Sequence, residues 1–130
     1  MERHTTNYAD TFIGVAEDCP VQIAEAPPEK EPKSLARLEY EMLIGHPYQY
    51  TSDDVIYETK GKRMDVSREA FFAKGQPCFR ASALAKRYGW GIHSEKDGTI
   101  ALYAVESEDY RRFAADGSIR HLRAMRQGRK

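Results

Sequence analysis

The sequence predicts an α+β domain in which short helices cover a small antiparallel sheet. The first observation behind this prediction is Asp97-Gly98, a turn signal between two segments of strand-like composition. The second is Thr11–Ala16 (TFIGVA), whose β-branched and aromatic residues favour an amino-terminal strand. The third is a series of short helical segments that begin at serine or aspartate and end at glycine. Because a two-stranded hairpin alone is marginally stable, we expect the amino-terminal strand to join it.

Length and composition predict one domain over residues 1–130. A chain of 130 residues buries about two thirds of its unfolded surface, so its core needs no disulfide or metal ion. Hydrophobic residues make up 41% and charged residues 31% of the chain, a balance typical of globular proteins. The formal net charge is zero, so no overall field directs the protein to nucleic acid or to a membrane surface.

The predicted strands differ in the faces that they bury. Both faces of Thr11–Ala16 are apolar or small, which indicates a central strand. The hairpin consists of Trp90–Ser94 and Thr99–Val105. In its second strand, Ile100 and Leu102 share the more apolar face, so we expect this face to meet the helices.

The helices are predicted from capping residues and from the spacing of apolar residues. Their predicted bounds are Leu35–Ile44, Asp53–Lys60, Arg68–Lys74, Ala83–Tyr88 and a last helix from Glu108 to just before Gly117. Residues 53–60 also carry strand-forming side chains, so a strand stays open as an alternative there. The segment Ile119–Met125 has apolar residues three apart, and both a short helix and an edge strand fit it.

The sequence also predicts a cytoplasmic protein. Its two cysteines, Cys19 and Cys78, are fewer than a small secreted domain usually carries. No apolar run approaches the ~18 residues of a membrane span, and no signal-peptide pattern opens the chain. The four histidines are scattered and form no ligand pair. We therefore expect free thiols, no metal, no cofactor and no membrane, whereas the oligomeric state stays open.

Charge is distributed unevenly between the two ends of the chain. Residues 1–32 hold seven acidic and two basic residues, whereas residues 111–130 hold one acidic and seven basic residues. We expect the two ends to neutralise each other or to be solvated. Weak binding of nucleic acid by the basic segment Arg120–Lys130 is kept as a less favoured alternative.

Cys78 is the candidate nucleophile of an alternative, enzymatic function. It precedes Arg80 by two residues and the helix cap Ser82 by four, and a cation and a helix amino terminus both stabilise a thiolate. His93 lies in the same part of the sequence and is the candidate general base. The other interpretation is that Cys78 is an inert, buried thiol, which is the common role of a free cysteine.

The leading hypothesis is a small binding or regulatory module with a site for an anionic small molecule. Arginine side chains and the backbone N–H groups that open a helix both bind anions. The residues predicted to line this site, including two aromatic side chains that would stack on the ligand, are Arg80, Ser82, Arg87, Tyr88, Trp90 and His93. The alternative is that Arg87 is solvated, that Arg80 pairs with a carboxylate, and that the aromatic residues belong to the core.

Several segments together resemble one family. They include FIGVAEDCP, HPYQYTSDDV, GQPCFRAS, KRYGWGIHS and ALYAVES. On these segments the chain is similar, over nearly its whole length, to a family of small bacterial proteins of unknown function. The resemblance implies a stand-alone cytosolic domain, and it implies no activity, ligand or catalytic residue.

Overall fold

The computed structural model describes residues 4–127 and contains a five-stranded mixed sheet with helices on both faces. The strands are β1 (Thr11–Gly14), β2 (Tyr50–Thr51), β3 (Trp90–Ser94), β4 (Thr99–Ala104) and β5 (Arg120–Arg123). Their order across the sheet is β2-β4-β3-β1-β5. The predicted α+β class is confirmed, and the amino-terminal strand joins the hairpin as expected, because β1 pairs antiparallel with β3.

The helices are short, and each begins at a serine or threonine whose side chain caps it. They are α1 (Leu35–Leu43), α2 (Ser52–Ile56), α3 (Arg68–Phe72), α4 (Ala83–Lys86) and α5 (Glu108–Ala115). A π-helical segment, Tyr57–Gly61, extends α2, and a 3₁₀ turn, Phe79–Ala81, precedes α4. Residues 53–60 are therefore helical, whereas residues 119–125 contain strand β5 and no helix.

Strand β5 makes the sheet mixed, which corrects the prediction of a purely antiparallel sheet. It pairs parallel with β1 and places Leu122 opposite Ile13. Two parallel strands cannot be joined by a tight turn, so the chain crosses from β4 to β5 through α5. Helix α5 therefore covers the second face of the sheet. The sequence predicted helices on one face only, and this part of the prediction is wrong.

The strand register assigns the side chains of the sheet to two faces. Ile13, Ile92 and Ile100 lie on the face that meets α1 to α4, and each is 1% exposed. Phe12 and His93 pair across β1 and β3 on the opposite face, where Phe12 contacts aromatic rings of α5. Because successive strand residues point to opposite faces, neighbours in sequence here belong to separate environments.

Gly89 forms the turn between α4 and β3 in a conformation that favours glycine, with φ of +87°. A Cβ atom added here would lie 2.9 Å from Cγ2 of Val21 and 3.0 Å from Cα of Ala24. We expect Gly89→Ala to lower the free energy of unfolding by about 2–3 kcal/mol, because it adds backbone strain and a clash. Urea denaturation measures this loss. Gly117→Ala is the matched control, since its Cβ would meet no atom of residues 4–127 within 4 Å, and equal losses in both variants would contradict the prediction.

Candidate ligand pocket

A pocket of about 300 Å³ lies between α1 and the segment that runs through the 3₁₀ turn into α4. Its wall is mostly apolar and includes Leu35 and Ile56. The polar or ionisable side chains that line it are Glu39, Lys60, Cys78 and Ser82. A concave apolar surface with a few convergent polar groups is the usual form of a small-molecule site.

Glu39 is a buried acid in the pocket wall, with 9% of its surface exposed. It shares the inward face of α1 with Ala36 and Leu43, which lie at the i, i+3, i+7 spacing of a helix face. The Oγ atom of Ser82 donates a hydrogen bond of 2.7 Å to its Oε1 atom. Burial raises the pKa of Glu39 to about 7, and the hydrogen bond from Ser82 opposes this increase.

The carboxyl group of Glu39 has no cationic partner among residues 4–127, and its Oε2 atom accepts no hydrogen bond from them. The ion pairs of α1 are made by Arg37 and Glu41, which turn toward residues 29–33. In the described part of the chain, no side-chain oxygen lacks both a hydrogen-bond partner and solvent access. The Oε2 atom is therefore accessible to solvent, and the side chain of Glu39 lines the pocket.

Ser82 connects the pocket to the start of α4. Its Oγ atom accepts a hydrogen bond of 3.1 Å from the N–H of Leu84, so the prediction that Ser82 caps this helix is confirmed. The same hydroxyl donates its proton to Glu39. A serine hydroxyl has one proton to donate, so Ser82 has none left for a second acceptor.

Cys78 and Lys60 bring a thiol and an amine to the same pocket, and both side chains are half-buried. The Sγ atom of Cys78 lies 3.3 Å from the hydroxyl of Tyr8. Burial, reinforced by this contact, raises the pKa of Tyr8. The Nζ atom of Lys60 donates to Oε1 of Gln76 over 3.4 Å. A carboxyl, a thiol and an amine thus surround one apolar volume.

His93 lies away from Cys78, which corrects the predicted convergence of these two side chains. It is on the sheet face covered by α5, where its ring stacks on Phe113 with 4.1 Å between centroids. Its Nδ1 atom is 2.8 Å from the hydroxyl of Tyr48, which also contacts the hydroxyl of Tyr103. Burial lowers the pKa of His93. His93 is therefore not placed to act as a base for Cys78.

The residues of the predicted anion site do not converge either. Ser82 begins α4, whereas Arg87 ends the same helix and is exposed. The Nε atom of Arg80 donates a hydrogen bond of 2.6 Å to the carbonyl of Arg123 in β5. The carboxyl group beside Ser82 would also repel an anion, so this set of side chains forms no common anion site in the structure.

The two aromatic residues predicted to stack on a ligand pack at the edge of the core. Tyr88 lies under the guanidinium of Arg87, with 5.5 Å between the group and the ring centroid. Trp90 donates its indole N–H to the carbonyl of Glu25 over 2.8 Å and contacts the ring of Tyr40. Neither ring lines the pocket, which agrees with the alternative prediction that these rings belong to the core.

Residues 4–127 show neither a metal site nor a membrane-spanning helix. Both cysteines are free. The described residues contain no cluster of three or more histidine, cysteine, aspartate or glutamate side chains that would hold a metal ion. No helix in this range has the length and apolar character needed to cross a bilayer. Part of the basic segment 120–130 forms β5, and residues 128–130 lie outside the described residues, so nucleic-acid binding stays a prediction.

The sequence matches a family model over residues 3–130. The chain belongs to DUF6157, a family of unknown function. This membership confirms the resemblance to a family of unknown function that the sequence segments indicated. No curated protein and no solved structure matches the chain. For this DUF6157 member, the functional argument therefore depends on the geometry of the pocket.

Sequence reasoning missed Glu39 and Lys60 in this DUF6157 chain. Leu35, Leu38 and Met42 favour one inward face of α1, but the structure buries the neighbouring face instead. The available signal was a glutamate three residues after Ala36 and four before Leu43. That spacing places an acid among apolar side chains on one face of a helix.

Proposed function

We propose that the protein is a binding module for a compact, largely apolar small molecule. The observation that carries this proposal is the apolar pocket of about 300 Å³ that the buried side chain of Glu39 lines. This volume is at the lower end of the range for ligand sites. The proposal keeps the binding role expected from the sequence and moves the site to the pocket. The free thiols and the family resemblance support a setting in the bacterial cytoplasm.

The unfavourable effect of a buried Glu39 on the stability of the folded state supports a role in binding. A buried carboxyl group without a counter-ion destabilises the folded state once it ionises. An apolar residue between Ala36 and Leu43 would complete the inward face of α1 without this penalty. Polar groups that oppose stability inside a pocket are common at functional sites. We therefore assign Glu39 to ligand binding and not to the stability of the fold.

A fragment screen by two-dimensional NMR tests this proposal. Amide shifts confined to residues 35–39, 56–60 and 77–83 are the expected result for fragments that enter the pocket. Ala83→Phe places a ring on the pocket wall and should abolish these shifts. Ala115→Phe, at an exposed position of α5, is the matched control and should retain them. Fragments that bind elsewhere, or that bind Ala83→Phe unchanged, would contradict the proposal.

A second candidate function is an enzyme that uses Cys78 as a nucleophile. It is favoured by the position of the Cys78 thiol in the wall of the same pocket as a carboxyl group. Glu39 then replaces His93 as the candidate base, because Glu39 lines the pocket and His93 lies on the other face of the sheet. A carboxyl group with a pKa of about 7 is suited to proton transfer near neutral pH.

Thiol labelling against pH separates this second candidate from binding alone. Cys19 is the matched control, because it is also half-buried and free but does not line the pocket. Iodoacetamide labels Cys78 in the Cys19→Ser variant and Cys19 in the Cys78→Ser variant. A nucleophilic Cys78 should react roughly tenfold faster than Cys19 at neutral pH, because the reactive species is the thiolate. Equal rates that rise together toward alkaline pH would reject the enzyme.

A further inference from the structure

We propose that the ligand carries a protonated amine on a compact apolar body, and that this amine binds Glu39. The inference rests on the proposed binding function and adds the chemical class of the ligand. It follows from the partners of Glu39, from the surroundings of Lys60 and from the composition of the pocket wall.

Among the residues that the structure describes, the carboxyl group of Glu39 has an unused acceptor and no counter-ion. Its Oε1 atom accepts from Ser82, whereas no residue in 4–127 donates to Oε2. An ammonium group supplies the positive counter-charge that the buried carboxylate of Glu39 lacks, and it has three protons to donate. A neutral hydroxyl supplies a hydrogen bond without charge, and an anion is repelled. The arrangement therefore favours an amine.

Two cationic side chains in or beside the pocket wall have partners other than Glu39. Lys60 lines the pocket, but its Nζ atom donates to Gln76. Arg80 lies one residue before the pocket residue Ala81, and its Nε atom donates to the carbonyl of Arg123. Neither forms an ion pair with Glu39. Neither cation occupies the carboxyl group of Glu39, so this group is available to a cation of the ligand.

The remaining ionisable group in the pocket wall and most charged groups on the surrounding elements also have partners of their own. The thiol of Cys78 contacts Tyr8. The ion pairs on α1, α2 and the π-helical segment are Arg37–Glu29, Arg37–Glu41, Lys33–Glu41, Arg68–Asp54 and Lys62–Glu58. Titration of Glu39, with a pKa near 7, therefore changes the charge that the pocket presents to a ligand around neutral pH.

The rest of the pocket suits an apolar body. Leu35 and Ala36 of α1 and Ile56 of α2 contribute apolar side chains to the wall. Pro77 and Phe79 contribute further apolar side chains from the segment that precedes α4. A volume of about 300 Å³ admits a single ring or a short branched chain with one polar end. Burial of such a body supplies the hydrophobic part of the binding free energy, and Glu39 supplies the charge recognition.

Two matched probes test the proposal: cyclohexylmethylamine and its neutral counterpart cyclohexylmethanol. NMR titrations at about pH 5.5 and about pH 8.5 measure their affinities for the wild type and for Glu39→Gln. The amine stays protonated at both values, as a lysine side chain does. We expect the wild type to bind the amine roughly tenfold more tightly at the higher pH, because Glu39 is ionised there. Glu39→Gln should remove this pH dependence, and the alcohol should show none.

Several outcomes would overturn the inference. One is equal affinity of the wild type for amine and alcohol at the higher pH. Another is unchanged amine binding in Glu39→Gln. A third is amine binding that appears only in Lys60→Met, which would mean that Lys60 neutralises Glu39 in the wild type. If neutral fragments still bind and Ala83→Phe blocks them, only the amine is rejected and the binding function stands. If no fragment enters the pocket, both proposals fail.

Discussion

Glu39→Gln should be more stable than the wild type at alkaline pH, by about 3 kcal/mol, and nearly equal to it at acidic pH. The folded state holds the pKa of Glu39 near 7, whereas its ordinary value is 4.5. Between these values the folded protein binds more protons than the unfolded chain does. Stability from this group is therefore complete below about pH 4.5 and is lost as the pH rises to about 7. Glutamine keeps an acceptor for Ser82 and removes the titration.

Urea denaturation of both proteins across this pH range measures the effect, and their difference cancels the other titrating groups. Glu41→Gln is the control on the same helix. The pKa of Glu41 is lowered, first by its hydrogen bond from Arg37, so its contribution to stability has the opposite pH dependence. Parallel stability curves for wild type and Glu39→Gln would show that the carboxyl group of Glu39 is solvated in the folded state.

Asp53→Ala should destabilise the protein by about 4 kcal/mol, the larger of the two effects. The side chain of Asp53 is 4% exposed and accepts hydrogen bonds from the hydroxyl of Thr5 and from the hydroxyl and N–H of Thr6, at 2.7 to 2.8 Å. The N–H of Asp53 in turn donates to Oδ1 of Asn7. Alanine leaves the buried N–H of Thr6 without its acceptor and removes three of the hydrogen bonds that attach the amino-terminal segment to α2.

Chemical denaturation measures this loss, and Asp53→Asn is the control that keeps the shape and removes the charge. We expect Asp53→Asn to lose less than Asp53→Ala, because one amide oxygen still accepts a hydrogen bond. The segment that Asp53 holds leads directly to Tyr8, which contacts Cys78. Faster labelling of Cys78 should therefore accompany Asp53→Ala. A loss below about 1 kcal/mol, with unchanged labelling, would contradict this account of the segment.

Much of the fold follows from local signals in the sequence. The hairpin follows from Asp97-Gly98, and the helix caps follow from serines that precede acidic or apolar residues. The pairing of β5 with β1 has no such signal, because it joins residues 120–123 to residues 11–14. A strand of four residues with a mostly exposed, basic sequence is decided by this long-range pairing and not by its own propensity.

The position of His93 shows what strand alternation can add to local signals. The hairpin turn sets a register in which Ser94 pairs with Ile100 and His93 with Ala101. Ile100 was expected to face the helices, so alternation already placed His93 on the other face. What the sequence could not show was that α5 covers that second face, because this depends on the crossover to β5.

The candidate site was less predictable than the fold, since it depends on contacts between distant segments. The hydrogen bond from Ser82 to Glu39 joins the start of α4 to α1, and the two residues are 43 positions apart. Local sequence patterns do not reveal a contact over this separation. The sequence predicts Ser82 as a helix cap and Cys78 as a thiol near it, and both line the pocket. The acid that gives the pocket its charge was missed, because helix propensity treats glutamate as an ordinary surface residue.

The pKa of Glu39 is the most direct test of the central claim, which is that a buried acid without a counter-ion lines an apolar pocket. A pH titration of the side-chain carboxyl ¹³C resonances measures it, with Glu41 as the internal reference in the same helix. The account predicts a midpoint near 7 for Glu39 and a midpoint below the ordinary range for Glu41. A midpoint for Glu39 at its ordinary value of 4.5 would contradict it.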